Sequence, residues 1–191
     1  MMSAALAIEP TAETSPRTKA RIAGVFYLLT IVTGAVAVSV ASGKVVANLI
    51  ATLCYVAVTL LFYGLFKPVS GSISSLAAAV SLVGCAISAL SAFHLVPSRI
   101  NPLVFFGFYC LLIGYLIVRS TFLPRLLGML MAFGGLGWLT FLSPSLANSL
   151  FPYNLAPGLL GEGSLTLWLL VAGVNVQRWN AAALVVRTKD D

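Results

Sequence analysis

Charge is kept out of the apolar runs of this chain. Leu103–Val118 carries no charged residue, and Glu162 is the only acid between Glu13 and Asp190. A helix rises about 1.5 Å per residue, so roughly 20 apolar residues cross the ~30 Å hydrocarbon core of a bilayer. Only 8% of the residues are charged and 60% are hydrophobic, where a soluble domain carries about 25% charged residues. No water-facing surface can be built from so few charges, so the solvent is lipid. The fold class that follows is an all-α integral membrane protein, and the length of 191 residues suits one compact bundle.

The runs predict six transmembrane helices: Ile22–Ala41, Val45–Phe66, Ile73–Val96, Leu103–Val118, Leu126–Leu142 and Leu159–Val176. Pro97 and Pro102 bound the third link, and neither neighbouring helix can run through a proline. Arg119 closes the fourth helix by reaching toward the headgroups. Pro124 suits the first turn of the fifth helix, which makes the Arg119–Arg125 link a tight basic hairpin. Ser143–Pro157, with Phe151 and Tyr153, reads as an interfacial segment. The domain plan is a disordered cytoplasmic tail over 1–20, a six-helix domain over 21–177 and a cytoplasmic tail over 178–191. The third helix carries two rows of small residues, Ala77, Ser81, Cys85, Ala89 and Gly84, Ser88, Ala92. Such rows allow close approach, and they predict that this helix is central in the bundle.

An even number of crossings puts both termini on one side. With the N-terminus inside, the inner segments hold Arg17, Lys19, Arg21, Lys67, Arg119, Arg125, Arg178, Arg187 and Lys189. The outer segments hold only Lys44 and Arg99. Positive-inside bias therefore predicts an N-in, C-in protein. The alternative to a retained first helix is a signal peptide, since Ser39-Val40-Ala41 resembles a cleavage site. The first run exceeds a signal core of about 7–15 residues, which favours retention. The net charge of +6 is spread singly over helix ends, which is the membrane pattern and not a basic nucleic-acid face. Cys54, Cys85 and Cys110 all fall in apolar runs and form no CxxC pair. With one histidine in the chain, no zinc spacing and no other cofactor motif is present.

Several pieces of the chain resemble a known family. They are Ala20–Leu29 entering the first helix, Tyr63–Val69 leaving the second, Phe105–Phe108 with Leu112–Leu116, the turn Phe122–Gly128, and Gly161-Glu162 opening a final helix through Leu167–Val174. Together they resemble the bacterial membrane proteins grouped as domain of unknown function 4386. The resemblance implies a six-helix bundle of the bacterial cytoplasmic (inner) membrane and implies no activity.

The polar residues that remain define two candidate regions. One is an outer-mouth cluster of His94, Arg99, Glu162, Tyr153 and Asn154, in which Glu162 and Arg99 pair and His94 is a titratable neighbour. In this reading Glu162 lies at the outer start of the last helix. There it either complements the helix dipole or serves function, as a carboxylate near a membrane does by default. The other region is an inner ring of Arg21, Lys67, Arg119 and Arg125, suited to anionic lipid. No helix centre carries a charge in this reading, which argues against coupled transport. Ser, His and Glu are present but no catalytic motif links them. The expected function is therefore non-catalytic binding of a lipid or a membrane protein partner, including a second copy of the chain. The alternative is a small-molecule carrier or membrane enzyme working at the outer cluster.

Overall fold

The computed structural model describes residues 15–39, 43–97 and 99–190. All regular structure among them is helical: α1 (Pro16–Ser39), α2 (Lys44–Phe66), α3 (Gly71–Ala92), α4 (Pro102–Arg119), α5 (Arg125–Leu139), α6 (Pro144–Leu150), α7 (Leu155–Val171) and α8 (Val176–Asp190). Five helices are long and apolar enough to cross a membrane. The bent pair α7 and α8 raises the number to six if it is one span. Most of the tail expected over 1–20 lies outside the described residues, but residues 16–20 belong to α1. The proposed cleavage site at 39–41 lies largely outside them too.

The long helices form a ring. α1 packs on α2, α2 on α3, α3 on α4, α4 on α5, α5 on α7, and α7 closes back on α1. This corrects the expectation for the third helix. α3 is not central; like each member of the ring it has two principal neighbours. Its small-residue rows do let neighbours approach. Ser81 and Ser88 hydrogen-bond α2, and a Cβ on Gly84 would stand 3.0 Å from Phe105 and Phe106 of α4. Small residues report how close a neighbour comes, not how many neighbours there are.

Consecutive ring members are antiparallel. Thr59 meets Ser81 and Thr52 meets Ser88 between α2 and α3. Gly107 meets Gly135 and Gly114 meets Gly128 between α4 and α5. Gly137 and Gly134 meet Asn154 to Gly158 between α5 and α7. The N-terminus of α1 is tied to the C-terminus of α7, where Arg21 donates to the Val171 carbonyl at 3.2 Å and Arg17 to Ala172 at 3.4 Å. Cations suit that position, because the last carbonyls of a helix lack partners and carry its negative end.

One end of the ring therefore gathers Arg17, Lys19, Arg21, Lys67, Arg119, Arg125 and Arg178, and the other Lys44 and Arg99. At the cation-rich end α7 stops at Gly173, whose φ of 66° closes the helix in the left-handed region. The chain then turns by 102° into α8. Trp179 of α8 donates to the Leu65 carbonyl at 2.8 Å, and Arg178 to Thr121 at 3.1 Å. The segment written in the sequence as a tail is thus a docked helix.

The cation-rich half of the ring is packed with Phe62, Leu65, Phe66, Ile113, Leu116, Ile117, Met131, Leu165 and Leu169, all buried. The opposite half is hollow.

Candidate functional site

The hollow is a cavity of about 890 Å³ lined by all six helices of the ring. It reaches from Lys44, His94 and Asn101 at the cation-poor end down to Tyr55 and Glu162. Its wall is mainly apolar, with Ile31, Val45, Leu103 and Leu159 among the lining residues. A polar strip runs down the α2–α3 side. Asn48 donates to the Ser88 carbonyl at 3.1 Å, Thr52 to the Asn48 carbonyl at 2.8 Å, and Ser88 to Asn48 Oδ1 at 3.3 Å. The Ser88 hydroxyl faces an amide and a threonine, not a general base.

Glu162 is the one carboxylate on the cavity wall, and its position corrects the sequence reading. It is not at a helix start. α7 begins at Leu155, so Glu162 stands seven residues in, roughly 10 Å along the axis. It is 8% exposed, and its partner Cys110 is midway along α4. The helix runs further back than expected because Pro157 is only its third residue. There the missing N–H is one of those without an intrahelical partner anyway. A helix centre therefore does carry an ionisable group, and the argument against coupled transport that rested on the lack of one falls away.

The reason Glu162 has partners lies in the α5–α7 seam. A Cβ on Gly161 would come within 2.5 Å of the Leu130 carbonyl, and one on Gly158 would land on the Trp138 indole. Bare backbone at these points lets α5 lie against α7. Gly158 and Glu162 are four residues apart and share a helix face. The indole of Trp138 thus lies over Gly158, and its Nε1–H donates to Glu162 Oε1 at 2.7 Å. The Cys110 thiol donates to the same oxygen at 3.6 Å. Helices α4, α5 and α7 meet at this carboxylate, and Tyr27 of α1 stands beside it.

An aromatic cluster lies at the same depth. Tyr55 stacks obliquely on Phe106 with centroids 4.6 Å apart, and meets Tyr27 at 5.6 Å and Tyr109 at 5.7 Å, edge to face. The hydroxyls of Tyr27, Tyr55 and Tyr109 are buried without a hydrogen-bond partner. Nothing in the sequence links these residues, since each comes from the middle of a separate apolar run.

The other members of the expected outer cluster are dispersed. His94 lines the mouth of the cavity. Its φ of 57° and the bond from Leu95 N to Leu90 O show that it also terminates α3 in the left-handed conformation. Arg99 is exposed and does not line the cavity, and the partners of Glu162 are an indole and a thiol rather than this guanidinium. Tyr153 is 80% exposed. Asn154 is buried and donates to Thr140 Oγ1 at 3.1 Å, clasping α7 to the end of α5. In the inner ring Arg21 is occupied by Val171, and Arg119 lies 5.9 Å over the Tyr115 ring. Lys67 and Arg125 are exposed. No group of three His, Cys, Asp or Glu among the described residues could hold a metal ion.

No curated protein and no solved structure matches the chain. A family model does match, over residues 100–173. The matched span begins just before the Asn101 cap of α4 and ends at the Gly173 bend, so it contains Cys110, Trp138 and Glu162 together. The similar pieces in α1 and at the end of α2 fall outside it. The chain is accordingly a multi-span helical membrane protein that is similar, over residues 100–173, to the domain of unknown function DUF4386.

Proposed function

We propose that this protein is a non-catalytic binding protein of the bacterial cytoplasmic (inner) membrane, holding a small lipid-soluble molecule in the chamber between its helices. One observation carries the reading: a buried carboxylate faces a cavity at the middle of a ring of apolar helices. Ionisable groups at that depth are costly and are kept where they face a cavity or pathway. The volume of about 890 Å³ falls within the range of about 300–1,000 Å³ usual for small-molecule sites. The lack of a base beside Ser88 supports binding over catalysis. With the cation-rich end cytoplasmic, the chamber opens toward the outside. A carrier reading is favoured by the same carboxylate, since transporters place their coupling groups near mid-span. Exposed Lys67 and Arg125 suit contact with anionic headgroups at the cytoplasmic face.

The test is native mass spectrometry of protein released from mild detergent. Gly34 lines the chamber, and a Cβ there would meet nothing within 4 Å, so Gly34→Trp is the variant chosen to plug the chamber. The reading expects a stoichiometric small molecule on the wild type that Gly34→Trp lacks. A bare wild type, or the same species on the plugged variant, overturns it.

A further inference from the structure

We infer that the chamber takes a lipophilic organic cation, a molecule with an alkyl- or aryl-substituted onium or amine group, seated against Glu162. The inference rests on the chamber reading above and names its ligand class.

Three features of the wall converge on that chemistry. The first is the carboxylate. Its two geometric hydrogen bonds both fall on Oε1, and the group borders the cavity, with Tyr27 of α1 beside it. A carboxyl group out of water either takes up a proton or is held ionised by a counter-charge that offsets its lost hydration. No protein cation supplies one at this depth. Lys44, which also lines the cavity, begins α2 eleven residues before Tyr55, roughly 16 Å away along the axis. The second feature is the ring faces. Tyr55, Phe106 and Trp138 border the cavity beside Glu162. Aromatic faces attract a cation, and do so most strongly where water is excluded. The third is the rest of the wall. Ile31, Val45, Leu103 and Leu159 present apolar surface above the carboxylate, which suits hydrocarbon or aryl substituents. A hydrated metal ion would find a single carboxylate and few other oxygen ligands, and an anion would face Glu162 unpaired. A neutral lipid would meet Glu162 only through a hydroxyl, amide or carbonyl group, without using its charge.

The polar anchoring of Glu162 could serve structure alone, and one substitution separates the two roles. In Glu162→Gln the side-chain carbonyl still accepts from Trp138, while the negative charge is gone. The experiment measures equilibrium binding of tetraphenylphosphonium, and of neutral triphenylphosphine oxide, to the full chain in nanodiscs. It compares wild type, Glu162→Gln and Gly34→Trp. The inference expects saturable binding of the cation by wild type. It expects a loss of about tenfold or more in Glu162→Gln, no binding by Gly34→Trp, and wild-type resistance of Glu162→Gln to denaturation by SDS. Equal cation binding by wild type and Glu162→Gln overturns the inference. So does neutral-probe binding as tight as the cation's and removed by Gly34→Trp, which would leave the chamber reading standing. Binding of neither probe, or binding indifferent to the plug, overturns the cation inference, and the native mass spectra of wild type and Gly34→Trp decide the chamber reading separately.

Discussion

The seam between α4 and α5 allows a quantitative test of the ring. Gly114 and Gly128 face each other across it. A methyl group added at Gly128 would sit 2.6 Å from the Gly114 carbonyl oxygen and 2.9 Å from Val118 N. That is about 0.8 Å short of the 3.4 Å at which ordinary contact begins. Both opposing atoms are backbone, so no side chain can swing aside and the two helices must part. Overpacking of this kind costs about 1–3 kcal/mol. Replacing glycine within a helix returns about 0.5–1 kcal/mol. Gly128→Ala should therefore destabilise by up to about 2.5 kcal/mol net, and by about 1–3 kcal/mol relative to a glycine-to-alanine change made in open space. Gly64→Ala supplies the reference, since a Cβ there meets nothing within 4 Å, and it should be neutral or stabilising. Unfolding by SDS titration, followed by circular dichroism, measures both. The double variant Gly114→Ala/Gly128→Ala should cost less than the sum of the singles, because the helices part only once. If Gly128→Ala is as stable as Gly64→Ala, the close crossing of α4 and α5 is wrong, and the ring with it.

Three other outcomes follow from named contacts. Gly158→Ala puts a methyl on the Trp138 indole and should displace its donor from Glu162, weakening phosphonium binding about tenfold, whereas Gly163→Ala, with nothing within 4 Å, should bind like wild type. Thr59→Val removes the 2.6 Å bond to buried Ser81 between α2 and α3; SDS titration should show a loss of about 0.5–2 kcal/mol, and an unchanged midpoint would discount that bond. For orientation, Tyr153→Cys in a cysteine-free background should react with an impermeant maleimide on intact cells, and Arg125→Cys only after permeabilisation; the reverse pattern would invert the protein.

The apolar helices and the uneven division of cations between their two ends were legible because they depend on local composition. Apolar run length, prolines between runs and cations at run ends each report on a single segment and its solvent. The ring was not legible. Its closure depends on Gly24 meeting Leu169 and Leu170, and on Arg17 and Arg21 capping α7, contacts about 150 residues apart in sequence. The depth of Glu162 was misread because Pro157 looks like a boundary, and a proline in the first turn leaves no sequence mark that distinguishes it from one before the helix. One signal was available. Gly158, Gly161 and Glu162 put two bare positions and an acid on adjoining faces of one turn, spacing that suits a bulky neighbour crossing toward the acid. The identity of that neighbour as Trp138 has no local signature. Likewise Tyr27, Tyr55 and Tyr109 looked like ordinary apolar-run aromatics, and only the ring brings them together.

The central claim is that Glu162 lies at mid-span, inside a chamber reached from the cation-poor end. Thiol reactivity of Glu162→Cys, in a background with the native cysteines removed, tests it most directly. A small cationic methanethiosulfonate should modify this cysteine from the aqueous phase in the folded protein. Adding Gly34→Trp should slow the reaction about tenfold or more, and Ser81→Cys, buried between α2 and α3, should stay unmodified. No reaction at position 162 would mean a sealed, purely structural carboxylate. Rapid reaction that Gly34→Trp does not slow would put Glu162 at the membrane surface and contradict the chamber.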